Sequence, residues 1–207
     1  MPVRVGVAVA AVGLTLALTA CGGSDYQYVN NSTDHVFFKV PKEYQLFRIQ
    51  TAEPEGRPAP ADTGAVDPWH VVFDSSPDPS EANADATAPT SVVGQALVVP
   101  LSETQGDQLS SKALRSFFLG DDPLDMAQND PNVEIVSYEP ISFDGYRGSR
   151  VVLNYKQGDV WTTYDQTSFL DPAATKAYLF DVRCESTCFE DHRDAITQIV
   201  NSWQVKT

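Results

Sequence analysis

The sequence predicts an α+β domain, an antiparallel β-sheet flanked by helices, and three observations carry that prediction. From Val133 onward four strand-like runs follow one another: Val133 to Phe143 (interrupted at Pro140), Gly148 to Lys156, Val160 to Leu170 and Lys176 to Cys184. Asp144-Gly145 and Gln157-Gly158 mark tight turns between the first three, and turns that short join antiparallel neighbours. After the last strand, Phe189, His192, Ile196, Ile199, Val200 and Trp203 form a stripe near helical spacing that must lie on the sheet.

The remaining elements follow in chain order. Gly22 to Thr33 is polar and without apolar period, so residues 21–33 are expected to form a flexible tether, and a single domain is expected over 34–207. Val36, Phe38 and Val40 share one face of a first strand expected over His35 to Val40 and stopped by Pro41. Lys42 to Ile49 mixes helix and strand signals. Residues 51–66 and 74–90 are long acidic loops on either side of a short strand, Trp69 to Phe73. Ser91 to Val99 reads as a buried strand stopped by Pro100. Asp107 is expected to cap a short helix carrying Leu109, Ala113, Leu114, Phe117 and Phe118, with Gly120 as its stop. Asp121, Asp122, Asp125 and Asp130 do not match the calcium-loop spacing, so a solvated acidic loop is expected there. Thr187 and Glu190 have the spacing of a capping box for the final helix.

The N-terminus decides where the chain is expected to act. Arg4 precedes an apolar run from Val5 to Leu18, which leads into Leu18-Thr19-Ala20-Cys21-Gly22-Gly23-Ser24. A basic start, an apolar run and small residues make up a cleaved export signal, and the Leu-x-Ala-Cys ending resembles a bacterial lipobox. The run is shorter than the roughly 20 apolar residues that a membrane span needs. The resemblance implies a lipoprotein signal over 1–20, lipid (diacylglycerol and palmitate-type chains) on Cys21, and anchorage at the outer face of the cell membrane. Two acyl chains suffice for stable anchoring. Loss of residues 1–20 from the 207 would leave 187, which suits one domain.

The formal charge of −14 argues against nucleic-acid binding, which needs clustered Lys and Arg. The same charge argues against the domain lying flat on an anionic leaflet. Three cysteines are present; with Cys21 acylated, Cys184 and Cys188 remain as a pair that an oxidising compartment would join. The alternative is a soft-metal ligand set of Cys184, Cys188 and His192, spaced by four, although Cys184 ends a strand and would leave a common helical face.

Catalytic signatures are missing from the sequence. There is no Gly-x-Ser-x-Gly elbow and no Gly-rich phosphate loop. His35, His70 and His192 are the only candidate imidazole bases, and none stands beside a serine in a recognisable motif.

The segments VFFKVPKEY, FDGYRGSRVVLNY, KAYLFDVRC and ITQIVNSWQV resemble, in order and spacing, the PsbP-like superfamily over roughly residues 34–50 and 132–205. The superfamily includes photosystem accessory proteins and bacterial lipoproteins. The resemblance implies an α-β-α sandwich and an accessory or assembly role rather than catalysis. Tyr44 stands where a tryptophan is common in the family, and residues 51–90 are longer than a minimal member needs. The function expected is therefore a non-enzymatic, lipid-anchored extracytoplasmic protein that binds or assembles an unidentified envelope protein, with no cofactor. Small-ligand or metal binding, and a hydrolase, are the alternatives.

Overall fold

The computed structural model describes residues 25–49 and 68–206. The expected signal with Cys21 and the acidic loop 51–66 lie outside the described residues. Four strands build the C-terminal half: β6 (Val133–Phe143), β7 (Tyr146–Gln157), β8 (Val160–Leu170) and β9 (Lys176–Glu185). Asp144 and Gly145 take φ values of 46° and 84°, the left-handed pair that a two-residue hairpin turn with the sheet's own twist requires. The next turn is Gly158-Asp159, one residue later than expected, because Gln157 still pairs with Val160. With β3 (Gln45–Ile49), β4 (Trp69–Asp74) and β5 (Val93–Pro100), these strands form a seven-stranded antiparallel sheet in the order β3-β4-β5-β9-β8-β7-β6. The ambiguous segment after Pro41 is thus a strand at one edge of that sheet.

A second, three-stranded ribbon lies over one face, and it corrects the expected tether. Tyr26–Asn31 is strand β1, paired antiparallel with β2 (Val36–Pro41), and the two-residue strand β10 (Gln204–Val205) closes the ribbon on the far side of β2. The reason is alternation: Val29 points inward and is 4% exposed, while Tyr26 and Tyr28 point outward. Asn31 fixes the turn, its side-chain oxygen accepting from the Thr33 and Asp34 amides. The folded domain therefore includes residues 26–33.

Below the ribbon, Phe38, Phe73, Phe180, Ile196 and Ile199 form the main core. Ile196 and Ile199 belong to α5 (Arg193–Ser202), which shares this face with the ribbon. The opposite face is covered by α1 (Glu103–Gln108), α2 (Ser111–Arg115) and α3 (Pro123–Asn129). Leu114 of α2 meets Leu97, Leu170 and Leu179, and Met126 of α3 packs on Val133, Val151, Leu153 and Tyr164. The result is an antiparallel sheet between helical layers, as predicted.

Several local expectations are overturned. Asp107 lies inside α1 rather than capping a helix; Ser102 caps it, with Gln105 bonding back in a capping box. Ser110 caps α2. The acidic loop after Gly120 contains α3, whose cap Asp122 is buried and holds Arg115 through a bidentate pair at 2.8 and 2.5 Å. Thr187 and Glu190 do not form a capping box: the position before α4 (Ser186–Asp191) is Glu185, with no side-chain cap bond, and Glu190 pairs with Arg193. The predicted single helix is broken at His192, which separates α4 from α5. Strand β6 runs unbroken through Pro140, because an edge strand can place a residue without an amide hydrogen on its free side. The loop from Asp74 to Thr90 is organised by the Asp74 carboxylate, fully buried, which accepts hydrogen bonds from Ser76, Ser80 and Asn83.

Candidate functional site

Cys184 closes strand β9 and Cys188 lies one turn into α4. The two are joined by a disulfide with Cα atoms 5.9 Å apart. Their sulfurs are bonded to each other, and the His192 Nδ1 lies 2.9 Å from the Cys188 carbonyl oxygen, so the alternative Cys184/Cys188/His192 metal set is not assembled. His192 is exposed, not at the edge of the core. His35 sits in a left-handed turn position (φ 56°). The His70 Nε2 lies 3.1 Å from the Gln95 side-chain oxygen, and burial holds this imidazole below its ordinary value. The bonds of His70 and His192 thus go to an amide and a backbone carbonyl rather than to a serine or a carboxylate.

Two arrangements that the sequence did not single out stand apart from ordinary packing. The first is a polar seam on the helical side of β8 and β9. Asp181 and Gln166 are direct cross-strand partners, and Arg183 opposite Tyr164 is the next pair on the same side. All four side chains are buried. Arg183 donates to Asp181, its guanidinium lies over the Tyr164 ring at 5.6 Å, and Gln166 donates to the Arg115 carbonyl at 3.0 Å. Burial raises the Asp181 carboxyl above its ordinary value despite the pull of Arg183, and burial pushes the Tyr164 hydroxyl up to about 12. One oxygen of Asp181, the Arg183 Nε and the Gln166 side-chain oxygen have no partner among the described residues. This is a structural seam.

The second arrangement is a groove on the opposite side. A cavity of about 310 Å³ opens between the end of the β6–β7 hairpin and the C-terminal end of α5, with Ile141, Phe143, Phe169, Trp203 and Val205 among its walls. Its aromatic rings brace one another: Phe143 stacks on Tyr146 at 4.8 Å, and Phe169 on Tyr178 at 5.2 Å. Trp203 is fixed from behind by Phe180 at 4.8 Å. Phe143 is 39% exposed, so an apolar ring stands at the mouth. Arg150 gives one polar wall, held by a bidentate pair to Asp165 at 2.8 and 2.6 Å that raises its pKa further. The Trp203 indole nitrogen is buried and has no acceptor among the described residues. The groove therefore offers ring faces for an apolar group beside the Arg150 guanidinium, the make-up of a binding site. It is assembled from β6, β7, β8, α5 and β10, so no sequence window contains it.

No family model and no curated protein matches the chain in sequence. Solved structures do match it. Cyanobacterial PsbP (CyanoP) from Synechocystis sp. PCC 6803 superposes with a TM-score of 0.50 at 17% identity, over 91% of this chain and 99% of that one. The chain has the PsbP-like fold. Two further matches score lower: LpqN, involved in cell envelope biogenesis of Mycobacterium tuberculosis (TM-score 0.39, 12% identity, 90% and 88% of the two chains), and the Saccharomyces cerevisiae Ran-binding protein Mog1p (TM-score 0.44, 8% identity, 87% and 95%). Within the PsbP-like fold, the β1 strand and the long β6–β7 hairpin are the parts of this chain that frame its ribbon and its groove.

Proposed function

We propose that this protein is a non-enzymatic binding or assembly protein of the cell envelope, exported and held by lipid on Cys21. The groove beside Trp203 is its binding face. The observation that carries the reading is the combination of an exposed Phe143 and a braced aromatic wall lining the groove. A partner protein that inserts one apolar side chain suits both. The groove supplies shape, ring faces and the Arg150 guanidinium, which suits recognition of a partner's apolar side chain.

A photo-crosslinking residue in place of Phe143, in the full chain within native membranes, should yield one reproducible adduct. The adduct should be lost when Trp203→Ala is added and absent when the crosslinker replaces Asp159 at the far end of the sheet. Adducts equally abundant from both positions, or none from either, would remove the groove from consideration. Intact mass tests the anchor separately: residues 1–20 retained, or a Cys21 without acyl groups, would overturn the lipoprotein part alone.

A further inference from the structure

The outer face of the β1–β2–β10 ribbon has a chemistry unlike the rest of this acidic chain. Cross-strand pairing brings Tyr26 opposite Pro41, Tyr28 opposite Lys39, and Asn30 opposite Phe37 on one side of the ribbon, with Gln204 beyond Phe37. Tyr28 is 59% exposed and stacks on Phe37 at 5.8 Å. Lys39 lies 4.2 Å over the Tyr26 ring, and Lys206 lies 5.6 Å from the Phe37 ring. A shallow cleft of about 450 Å³ between this face and α5 is walled by Tyr28, Phe37, Lys39, Gln198, Asn201 and Gln204 among others, with no carboxylate in its lining. In a chain with 28 acidic and 14 basic residues, a face of three aromatic rings and two lysines without an acid is a distinct electrostatic region.

Its position along the chain gives that chemistry a use. Residues 22–25 are all that separate Cys21 from Tyr26, the first residue of β1 and a member of the same outer face. Even fully extended, five residue steps span no more than about 18 Å. If Cys21 carries lipid, the ribbon is the part of the domain nearest the bilayer. Tyrosine and phenylalanine rings beside lysine are the composition that settles at the headgroup level of a membrane.

We infer that the outer face of the β1–β2–β10 ribbon docks on anionic phospholipid headgroups, with Tyr28 and Phe37 at the interface and Lys39 and Lys206 on the phosphates. The inference rests on the acylation of Cys21 proposed above. Docking fixes the ribbon downward, and the net charge of the rest of the chain works with it. Repulsion keeps the acidic remainder away from the leaflet, while screening over about 8 Å lets the two lysines act locally.

Hydroxyl-radical footprinting of the full acylated chain in protein-free vesicles of phosphatidylcholine and phosphatidylglycerol tests the inference. Tyr28 and Phe37 should be oxidised about fivefold more slowly than in phosphatidylcholine vesicles, the effect of roughly one lysine–phosphate contact. Tyr138 on strand β6 should be unchanged and serves as the internal reference. Combined Lys39→Glu and Lys206→Glu should restore oxidation of Tyr28 while leaving Tyr138 and the circular dichroism spectrum as in the parent. Acylated protein whose Tyr28 is oxidised at the same rate in both vesicle types overturns the docking surface. Protection seen only in native membranes, and not in the protein-free vesicles, assigns the face to a protein partner and overturns it equally. Intact mass on the same sample, if it shows Cys21 unmodified, overturns the anchor and the docking together, so the two failures are distinguishable.

Discussion

Strand β9 is one backbone with two unlike sides. Tyr178, Phe180, Val182 and Cys184 face the ribbon and α5, where Phe180 meets Phe38 at 5.3 Å, Phe73 at 6.2 Å and Trp203 at 4.8 Å. Leu179, Asp181 and Arg183 face the α1–α3 layer, where a buried ion pair and an amide occupy the centre. The aromatic side gains from every ring removed from water and from ring-edge contacts. On the polar side, desolvation of two charges nearly cancels their attraction. The difference teaches that burial alone does not rank residues by what they contribute. Phe180 and Asp181 are both fully buried, adjacent in sequence, and opposite in energetic character.

The sharpest way to break this comparison begins with Phe180→Ala. It should cost about 4 kcal/mol, read as a shift in the denaturant midpoint, because the site loses a ring and keeps a cavity. Arg183→Met alone should cost about 3 kcal/mol by leaving Asp181 unpaired, with the loss limited because the carboxyl can take up a proton. Adding Asp181→Leu to Arg183→Met should return stability to near the parent value, whereas no second substitution of that kind rescues Phe180→Ala. A double variant as unstable as Arg183→Met alone would show that the ion pair is a net stabiliser.

Reduction of the Cys184–Cys188 disulfide should cost about 2 kcal/mol, since it closes a loop of only a few residues. Thermal melts with and without reductant measure it. The smallest effects are in acid. For Asp74, burial works to raise the carboxyl, but hydrogen bonds from Ser76, Asn83 and Ser80 overcome it and hold the group below its ordinary value. The stability it contributes is present above about pH 4 and is lost as pH falls through its lower folded value. Asp74→Asn should therefore flatten the acid limb of the stability curve. Asp181 is raised, so its folded form holds a proton that the unfolded chain releases above about pH 4. Stability tied to it falls as pH rises through that window, and Asp181→Asn should steepen the overall decline on acidification. Acid limbs that shift in the same direction in both variants would contradict the assigned burial and bonding.

Much of this architecture was legible because it is repetitive. Strands β6 to β9 declare themselves through alternation and through glycines where the backbone must turn left-handed, as at Gly145 and Gly158. Strand β1 was not legible, since Tyr-Gln-Tyr-Val-Asn-Asn has one inward apolar residue and needs β2 beside it to be a strand at all. Other misses had a readable signal. Ser102 with Gln105 three residues on is a capping-box pattern, and Asp122 followed by Pro123 is a cap with proline at the first helical position. The groove was hidden for a different reason. Phe143, Phe169 and Trp203 come together only through the hairpin register and the end of α5, which are tertiary facts. The seam left a trace in the alternating charges of Phe-Asp-Val-Arg-Cys, but in isolation such charges read as a solvated face.

Strand β6 is one of the two margins of the seven-stranded sheet, eleven residues long, with Val136 and Tyr138 exposed. Such a margin would ordinarily invite a sister molecule to add its own strand, and then another. Pro140 offers no hydrogen to a newcomer, and the irregularity between Ile135 and Ser137 puts the ladder out of step. Both features work against the addition of a foreign strand at this edge.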